Sequence, residues 1–273
     1  MKKSLLGIVL LLAAAAALYL VFYQPPAQEP TQAVGVAEQQ QPVEPTEPAI
    51  RYPVPEPQAP APGQEQEQAE QKPAPLPALQ QSDETIQETL AGMSDAKGLE
   101  ELFVLKNFIQ RVVVTIDNLP RPTLPVKQLP TRPPAGSFIT ATEAGGEVIG
   151  PDNHRRYAPY VKFAESLDSQ ALVATYVHYY PLFQEAYREL GYPKGYFNDR
   201  LIEVIDHLLE TPRVEGPIRL VRPKILYHFA DPALESLSAG QKLLLRSGAD
   251  NAERIKAKLR EIRRVLVTRI SSR

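Results

Sequence analysis

The sequence contains no cysteine among its 273 residues. A disulfide framework, a zinc–thiolate site and a lipid-modified cysteine are therefore excluded. Several catalytic signatures are also missing: there is no Gly-x-Ser-x-Gly nucleophile elbow and no phosphate-binding Gly-rich loop followed by Lys-Ser or Lys-Thr. The four histidines do not stand in a metal-binding spacing such as His-Glu-x-x-His. These absences predict no metal site and no cofactor, and they favour a non-catalytic role without excluding an enzyme.

A long apolar run near the N-terminus predicts a membrane anchor. Met1-Lys2-Lys3 precedes apolar residues from Leu5 to Phe22, which as a helix would span about 27 Å, close to the hydrocarbon thickness of a bilayer. The small residues Ala13 to Ala17 leave a cleaved signal peptide as the alternative. Because the apolar run continues beyond these alanines, we expect residues 1–23 to be a cytoplasmic start and a single-pass inner-membrane helix. The bulk of the chain is then expected in the periplasm.

Residues 24–81 are predicted to be a disordered linker rich in Pro, Gln and Glu. They contain fourteen prolines and eight glutamates against Arg51 and Lys72 as the only basic residues. A segment of this composition has too little apolar surface to offset the entropy of ordering, so we expect a tether with much polyproline II. The aromatic exception, Arg51-Tyr52-Pro53, leaves a short ligand motif as an alternative to a passive spacer.

Residues 82–273 are predicted to form one compact, mainly α-helical domain with minor β-hairpin elements. Apolar residues at helical spacing predict a helix from Leu99 to Asn118, although the β-branched run Val112–Ile116 leaves a strand as an alternative. Six prolines within Leu119–Pro134 exclude a regular element and indicate a strap along the surface. Strand-like runs on both sides of Ala144-Gly145-Gly146 predict a small β-hairpin.

The centre of the domain is predicted to be a helical hairpin over residues 174–212. Asp168 is expected to cap its first helix, in which Pro181 predicts a kink or a break. Asn198 is expected to cap the second helix, Asp199–Glu210. Local signals indicate further helix boundaries at Gly191, Asp231-Pro232, Ser238–Gln241 and Asp250.

One face of the second helix carries the strongest candidates for acid–base or metal chemistry. Asp199, Glu203 and His207 follow one another at intervals of four residues and so lie along one helix face. Carboxylates and a histidine in this arrangement could share protons or bind a metal ion. A solvated acidic face, with His207 stabilised by Glu203, explains the same pattern without any chemistry.

Two other groups of residues are candidates for binding surfaces. The hairpin is rich in tyrosines that could stack against sugars or peptides, or could belong to the core with their hydroxyls at its edge. The last helix is amphipathic and basic, which suits an anionic surface or simply a helix docked on its own domain. The tyrosines are Tyr176, Tyr179, Tyr180, Tyr187, Tyr192 and Tyr196, and the basic residues are Arg254, Lys258, Arg263 and Arg264.

Four short segments carry a resemblance to a known family. They are Asp117-Asn118-Leu119-Pro120-Arg121, Tyr180–Tyr187, Gly195–Leu201 and Phe229-Ala230-Asp231-Pro232. Over about residues 99–266 the chain resembles a proteobacterial family of membrane-anchored proteins whose domain has no assigned function, domain of unknown function 3014. The resemblance implies the same architecture and compartment, and it implies no activity and no catalytic residues.

These observations predict a membrane-anchored periplasmic interaction or assembly module of the cell envelope. The expected partners are the inner membrane, through residues 5–22, and an envelope protein or cell-wall component. No nucleic acid is expected as a partner of an exported domain. The alternative is a periplasmic hydrolase or another cell-wall-active enzyme that uses the acidic and histidine-bearing helix face.

Overall fold

The computed structural model describes residues 49–54, 76–92 and 96–271. This part of the chain is mainly helical with two small antiparallel β-hairpins, which confirms the predicted fold class for the domain. The predicted anchor, residues 1–23, and most of the predicted linker lie outside the described residues. Within the described ranges, no helix is both long enough and apolar enough to cross a membrane.

The elements follow one another along the chain as helices interrupted by the two hairpins. The helices are α1 (Asp83–Ala91), α2 (Ala96–Leu102), α3 (Phe108–Asn118), α4 (Ala158–Ser166), α5 (Ser169–Glu189), α6 (Phe197–Leu209), α7 (Pro232–Glu235), α8 (Ala239–Ser247) and α9 (Ala249–Ser271). The strands are β1 (Thr140–Glu143), β2 (Gly146–Ile149), β3 (Leu220–Val221) and β4 (His228–Phe229). Short 3₁₀ turns cover Leu79–Gln81, Val126–Gln128 and Pro151–Arg156.

The hydrophobic core lies between the α5–α6 hairpin and the helices packed on it. Helix α3 packs against both α5 and α6, and α9 packs against α4, α5, α6 and α8. Large apolar side chains such as Phe108, Phe183 and Phe197 are fully buried there. Leu79 is also buried in this core, so the folded domain begins a few residues before the predicted boundary at residue 82.

The prediction of one helix from Leu99 to Asn118 is wrong. Helix α2 ends at Leu102, and α3 begins at Phe108 after Asn107, whose φ of 52° is left-handed. The carboxylate of Asp83 caps the new helix, because it accepts the backbone N–H groups of Asn107 at 2.8 Å and Phe108 at 3.1 Å. The residues Val112–Ile116 are helical, which excludes the strand alternative.

Several local predictions in the central hairpin are confirmed, and one is wrong. Asp168 caps α5 by accepting the N–H of Ala171 at 2.8 Å, and Gly191 takes a left-handed φ of 112° after the helix end. Helix α5 runs through Pro181 without a break. Asn198 is not a cap, since α6 begins at Phe197 and the side chain of Asn198 is used elsewhere.

The two hairpins form a small layer beside the helices. Strands β1 and β2 pair from Thr140 opposite Ile149 to Glu143 opposite Gly146, as the sequence predicts. A hydrogen bond from the N–H of Ile149 to the carbonyl of Ile218, at 3.0 Å, joins this hairpin to the region of β3. A second, smaller apolar cluster at Leu220, Phe229 and Leu245 attaches the layer to α8. This layer lies apart from the α5–α6 core.

Candidate groove at the start of helix α6

A short piece of the predicted linker is docked on the domain at the N-terminal end of α6. The carboxylate of Asp199 accepts two consecutive backbone N–H groups, from Arg51 at 2.9 Å and from Tyr52 at 2.8 Å. The hydroxyl of Tyr196 accepts the N–H of Val54, also at 2.8 Å. The main chain bends at Arg51 and Tyr52, so that both of their N–H groups face Asp199, and it is held by side chains of the domain. We call residues 50–54 the docked segment and the surface beneath it the groove.

The side chains of the docked segment divide between core and solvent. Val54 is buried, and Tyr52 packs against the edge of the main core. Tyr52 also hydrogen-bonds to Arg263 of α9. The pKa of the Arg263 guanidinium is raised mainly by its hydrogen bond to Asp206, and Tyr52 adds a smaller contribution in the same direction. Arg51 is largely exposed, and its guanidinium lies 3.8–3.9 Å from carboxylate oxygens of Asp199 and Glu203. Exposed pairs of this kind contribute little, so the backbone contacts and the two apolar side chains hold the segment.

Asn198 connects the groove to the core. Its amide nitrogen donates to the carbonyl oxygen of Tyr52 at 2.8 Å, and its amide oxygen accepts from the hydroxyl of Tyr176 at 3.0 Å. Tyr176 is buried, and burial raises the pKa of its hydroxyl well above the ordinary value, which keeps it a proton donor. The hydrogen bond from Tyr176 thus fixes the orientation of the Asn198 amide, so that its NH₂ group faces the docked main chain.

A buried ion pair supports the groove from α3. Asp117 is almost fully buried, and its carboxylate lies 3.1 Å from Nε of Arg200 and 2.5 Å from Nη2 of Arg121. The hydroxyl of Tyr192 donates to the same carboxylate at 3.2 Å. Because Arg200 follows Asp199 directly in the sequence, this cluster fixes the start of α6 relative to α3.

The groove is longer than the segment that occupies it. A cleft of about 340 Å³ flanks the docked segment on the side of Asp117 and Tyr192. A second cleft of about 310 Å³ extends along α6 towards His207 and Glu210. Arg51 and Glu203 line both clefts, so the docked segment crosses the middle of a longer depression.

The three candidates on the acidic helix face bond to different partners. Asp199 binds the docked segment, Glu203 is exposed and pairs with Arg200 at 3.2 Å, and His207 places Nε2 2.8 Å from the hydroxyl oxygen of Ser238. Among the described residues, no group of three or more His, Asp or Glu side chains could hold a metal ion. What these residues form is a surface that accepts N–H donors.

The six candidate tyrosines divide between the core and the groove. Tyr176, Tyr179, Tyr180 and Tyr187 are buried, whereas Tyr192 and Tyr196 are only partly buried and line the cleft beside the docked segment. Burial also raises the pKa of Tyr187, to about 12. The rings of Tyr187 and Tyr192 stack with their centroids 4.6 Å apart, which links the core group to the groove group.

The basic residues of α9 mostly serve the domain itself. Arg254 pairs with Glu165, and Arg263 pairs with Asp206. The ammonium of Lys258 is buried and donates to the carbonyl oxygen of Leu167 at 2.6 Å. Arg264 is exposed. The apolar side of the helix, with Leu259, Ile262 and Leu266, is buried in the core.

The contacts of the docked segment and the cost of ordering it are of similar size. Ordering a residue costs about 1–2 kcal/mol of backbone entropy. A hydrogen bond to a charged acceptor contributes about 1.5–3 kcal/mol, and burying a valine contributes about 1.5–3 kcal/mol. The favourable free energy of two hydrogen bonds to Asp199, two neutral hydrogen bonds and the burial of Val54 is therefore roughly equal to the entropic cost of ordering residues 50–54. The packing of Tyr52 comes in addition, so the docked state is favoured by a modest margin that the loss of one charged acceptor would remove.

Residues 108–263 match the model of a family described as protein of unknown function (DUF3014). The chain belongs to this family. Searches of the curated proteins and of the solved structures found no match to the chain.

The DUF3014 match contains the groove but not the segment that occupies it. Asp117, Tyr196, Asn198 and Asp199 all lie within the matched residues, whereas the docked segment precedes them by more than fifty positions. Sequence reasoning identified Asp199 and Tyr196 as candidates, but missed Asn198, Asp117 and Arg200 as parts of one site. The available signal was their position in Asp117–Arg121 and Gly195–Leu201, two segments that carry the resemblance to the family.

Proposed function

We propose that this protein is a membrane-tethered, non-catalytic recognition module of the cell envelope, and that its groove binds a short peptide segment of an envelope partner. The observation that carries the proposal is the docking of residues 50–54, which supports a peptide main chain as the ligand of the groove. The proposed site consists of Tyr196, Asn198 and Asp199 with the two flanking clefts.

The chemistry of the groove suits main-chain recognition. Asp199 and Tyr196 accept backbone N–H groups, and Asn198 donates to a backbone carbonyl, so the contacts recognise a bent main chain and not a particular side chain. Selectivity then comes from the sites that hold Tyr52 and Val54. Affinity from the main chain with specificity from alternate side-chain pockets is a general mode of peptide recognition.

The location of the protein is part of the proposal. The apolar run over residues 5–22 supports a single-pass anchor in the inner membrane, with the domain in the periplasm. The Pro-rich segment that follows it supports a tether between the anchor and the domain. A module built in this way would bind an envelope protein or a cell-wall component at a distance from the membrane.

The geometry favours recognition over hydrolysis. A hydrolase would need Asp199, Glu203 and His207 to meet one substrate together. Both carboxylate oxygens of Asp199 accept backbone N–H groups, and His207 is turned towards Ser238 at 2.8 Å. Glu203 and His207 line one cleft, but Asp199 is not among its lining residues and is engaged by the docked segment, so the geometry favours binding.

The test is co-purification of partners with the full-length chain from solubilised membranes. We compare the wild type, Asp199→Ala and the control Asp152→Ala, which alters an exposed carboxylate that pairs with the exposed Arg155 at 3.3 Å. A fragment of residues 1–81 supplies the background. We expect a protein that binds the wild type and the control but not Asp199→Ala. The proposal is wrong if nothing exceeds the background or if Asp199→Ala retains every partner.

A further inference from the structure

We propose that the docked segment is a resident competitor for the groove, and that a partner segment of the same chemistry displaces it and lengthens the tether. The inference rests on the proposed function, because it assumes that the groove is the recognition site. The ligand class is a short peptide that can adopt the same bend, with an aromatic residue and, two positions later, a small β-branched residue. Tyr52 and Val54 provide that pattern in the chain itself.

The docked segment has the properties of a displaceable ligand. Its position depends on four hydrogen bonds that use only its main chain, and on two side chains at the edge of the core. Its arginine is largely exposed and adds little to its retention. The groove also continues beyond the segment on both sides, so an incoming peptide could bind in a flanking cleft before the segment leaves.

Docking divides the tether into two parts. When residues 50–54 are in the groove, only residues 24–49 separate the predicted anchor from the domain, and a chain of that length could span at most about 80 Å at about 3.1 Å per residue. When they leave, residues 24–75 lie between the two, and the upper limit is about 160 Å. A partner that takes the groove would therefore about double the greatest distance from the membrane at which the domain can act.

A segment attached to its own groove competes strongly with free ligands. Residues 55–75 join the segment to the domain in one chain, and covalent linkage of this kind gives effective concentrations in the millimolar range. A partner segment must exceed this competition, so its apparent affinity for the wild type is lower than for a chain whose segment cannot dock. This difference in apparent affinity can be measured, and it tests whether the docked segment competes with a partner.

Trypsin provides a direct measure of release. In the predicted linker, the only basic residues are Arg51 and Lys72, and Lys72 precedes Pro73, where trypsin cuts poorly. Cleavage after Arg51 requires the docked main chain to leave Asp199, so its rate follows the released fraction. With full-length chain in detergent micelles, the new Tyr52 N-terminus is quantified by mass spectrometry.

We expect Asp199→Asn to accelerate cleavage after Arg51 by about tenfold or more, because a neutral amide replaces the charged acceptor of two hydrogen bonds. The control Asp152→Asn should cut at the wild-type rate. Equal rates in the wild type and Asp199→Asn would overturn the inference, since the segment would then not be held by the groove.

A peptide titration separates this inference from the proposed function. A fluorescent peptide of residues 47–57 is added to the full-length wild type and to Y52S/V54S, and its anisotropy is recorded. We expect about tenfold tighter binding to Y52S/V54S, and loss of binding in Y52S/V54S/D199N. Equal binding to the wild type and Y52S/V54S overturns the competitor alone. Absence of binding to both overturns the recognition groove as well.

Discussion

Arg200 and Asp117 form an ion pair beneath the groove, although they lie on different helices. The Nε atom of Arg200 is 3.1 Å from Oδ1 of Asp117, and its Nη2 atom donates to the backbone carbonyl of Asp117 at 2.7 Å. One side chain therefore binds both the carboxylate and the end of α3. The neighbouring residue, Asp199, is held in place by this pair and can accept the N–H groups of the docked segment.

Replacing Asp117 by alanine should destabilise the domain. The change leaves the exposed Glu203 as the remaining carboxylate partner of Arg200. Removing one member of a buried pair costs about 3–5 kcal/mol, here reduced to about 2–3 kcal/mol because Arg200 is partly exposed and keeps this second partner. Denaturant unfolding gives the free energy of unfolding. Asp152→Ala is the matched control and should change it by less than about 0.5 kcal/mol. A similar loss in both variants would contradict the supporting role of Asp117.

Substitutions at two basic residues of α9, Lys258 and Arg264, should have different effects on the stability of the domain. Lys258→Met removes the donor to the Leu167 carbonyl and should lower the free energy of unfolding by about 1–3 kcal/mol, since a buried acceptor is left without a partner. Arg264→Met, on the exposed side of the same helix, should lie within about 0.5 kcal/mol of the wild type. Equal thermal midpoints for the two variants would show that Lys258 is not structural.

Glu235 should make stability depend on pH in the acidic range. Burial raises the pKa of this carboxyl. Hydrogen bonds from the N–H of Phe229 and from Lys242, together with the charge of Lys242, lower the pKa by more than burial raises it, so the net pKa is below the ordinary 4.5. A group with a lowered folded pKa contributes stability above its unfolded pKa and loses it as pH falls through the folded value. The stability difference between wild type and Glu235→Gln should therefore be constant above about pH 5 and shrink below about 4.5. Denaturant melts from pH 3 to 7 test this, and a pH-independent difference would contradict it.

Gly240→Ala should destabilise the domain although alanine is the better helix former. A Cβ at Gly240 would lie 2.6 Å from Cδ2 of Leu208 and 3.1 Å from the carbonyl oxygen of Leu119. Helix propensity favours alanine by about 1 kcal/mol, whereas overpacking costs about 1–3 kcal/mol, so α8 must move away from α6 or lose stability. Gly92→Ala is the control, because its nearest contacts are at ordinary distances. A higher thermal midpoint for Gly240→Ala than for Gly92→Ala would refute the close approach.

Elements that depend on neighbouring residues were predictable from the sequence. The caps at Asp168, Asp231 and Ser238 form as expected, because a side chain and the N–H group two or three residues later meet in any helix start. The left-handed Gly191 follows from the same local reasoning. These signals need no knowledge of the rest of the chain.

Elements that depend on distant residues were not predictable. The separation of α2 from α3 requires Asp83, which lies 24 residues before the Asn107 N–H that it accepts. Asn198 was expected to cap α6, yet its amide is taken by Tyr52, 146 positions earlier. The docked segment lies in a stretch whose composition predicts disorder, and nothing in that composition identifies the groove that receives it.

Helix α9 follows every element against which it packs, and this order affects how the domain is assembled. Helices α4, α5, α6 and α8 are all made before Leu259, Ile262 and Leu266 arrive to cover them. At about 5–20 residues per second, the chain spends on the order of seconds with this part of its core open. Residues 50–54, by contrast, precede all of the described helices. Their site, in which Arg263 of α9 interacts with Tyr52, is completed only when α9 has been made.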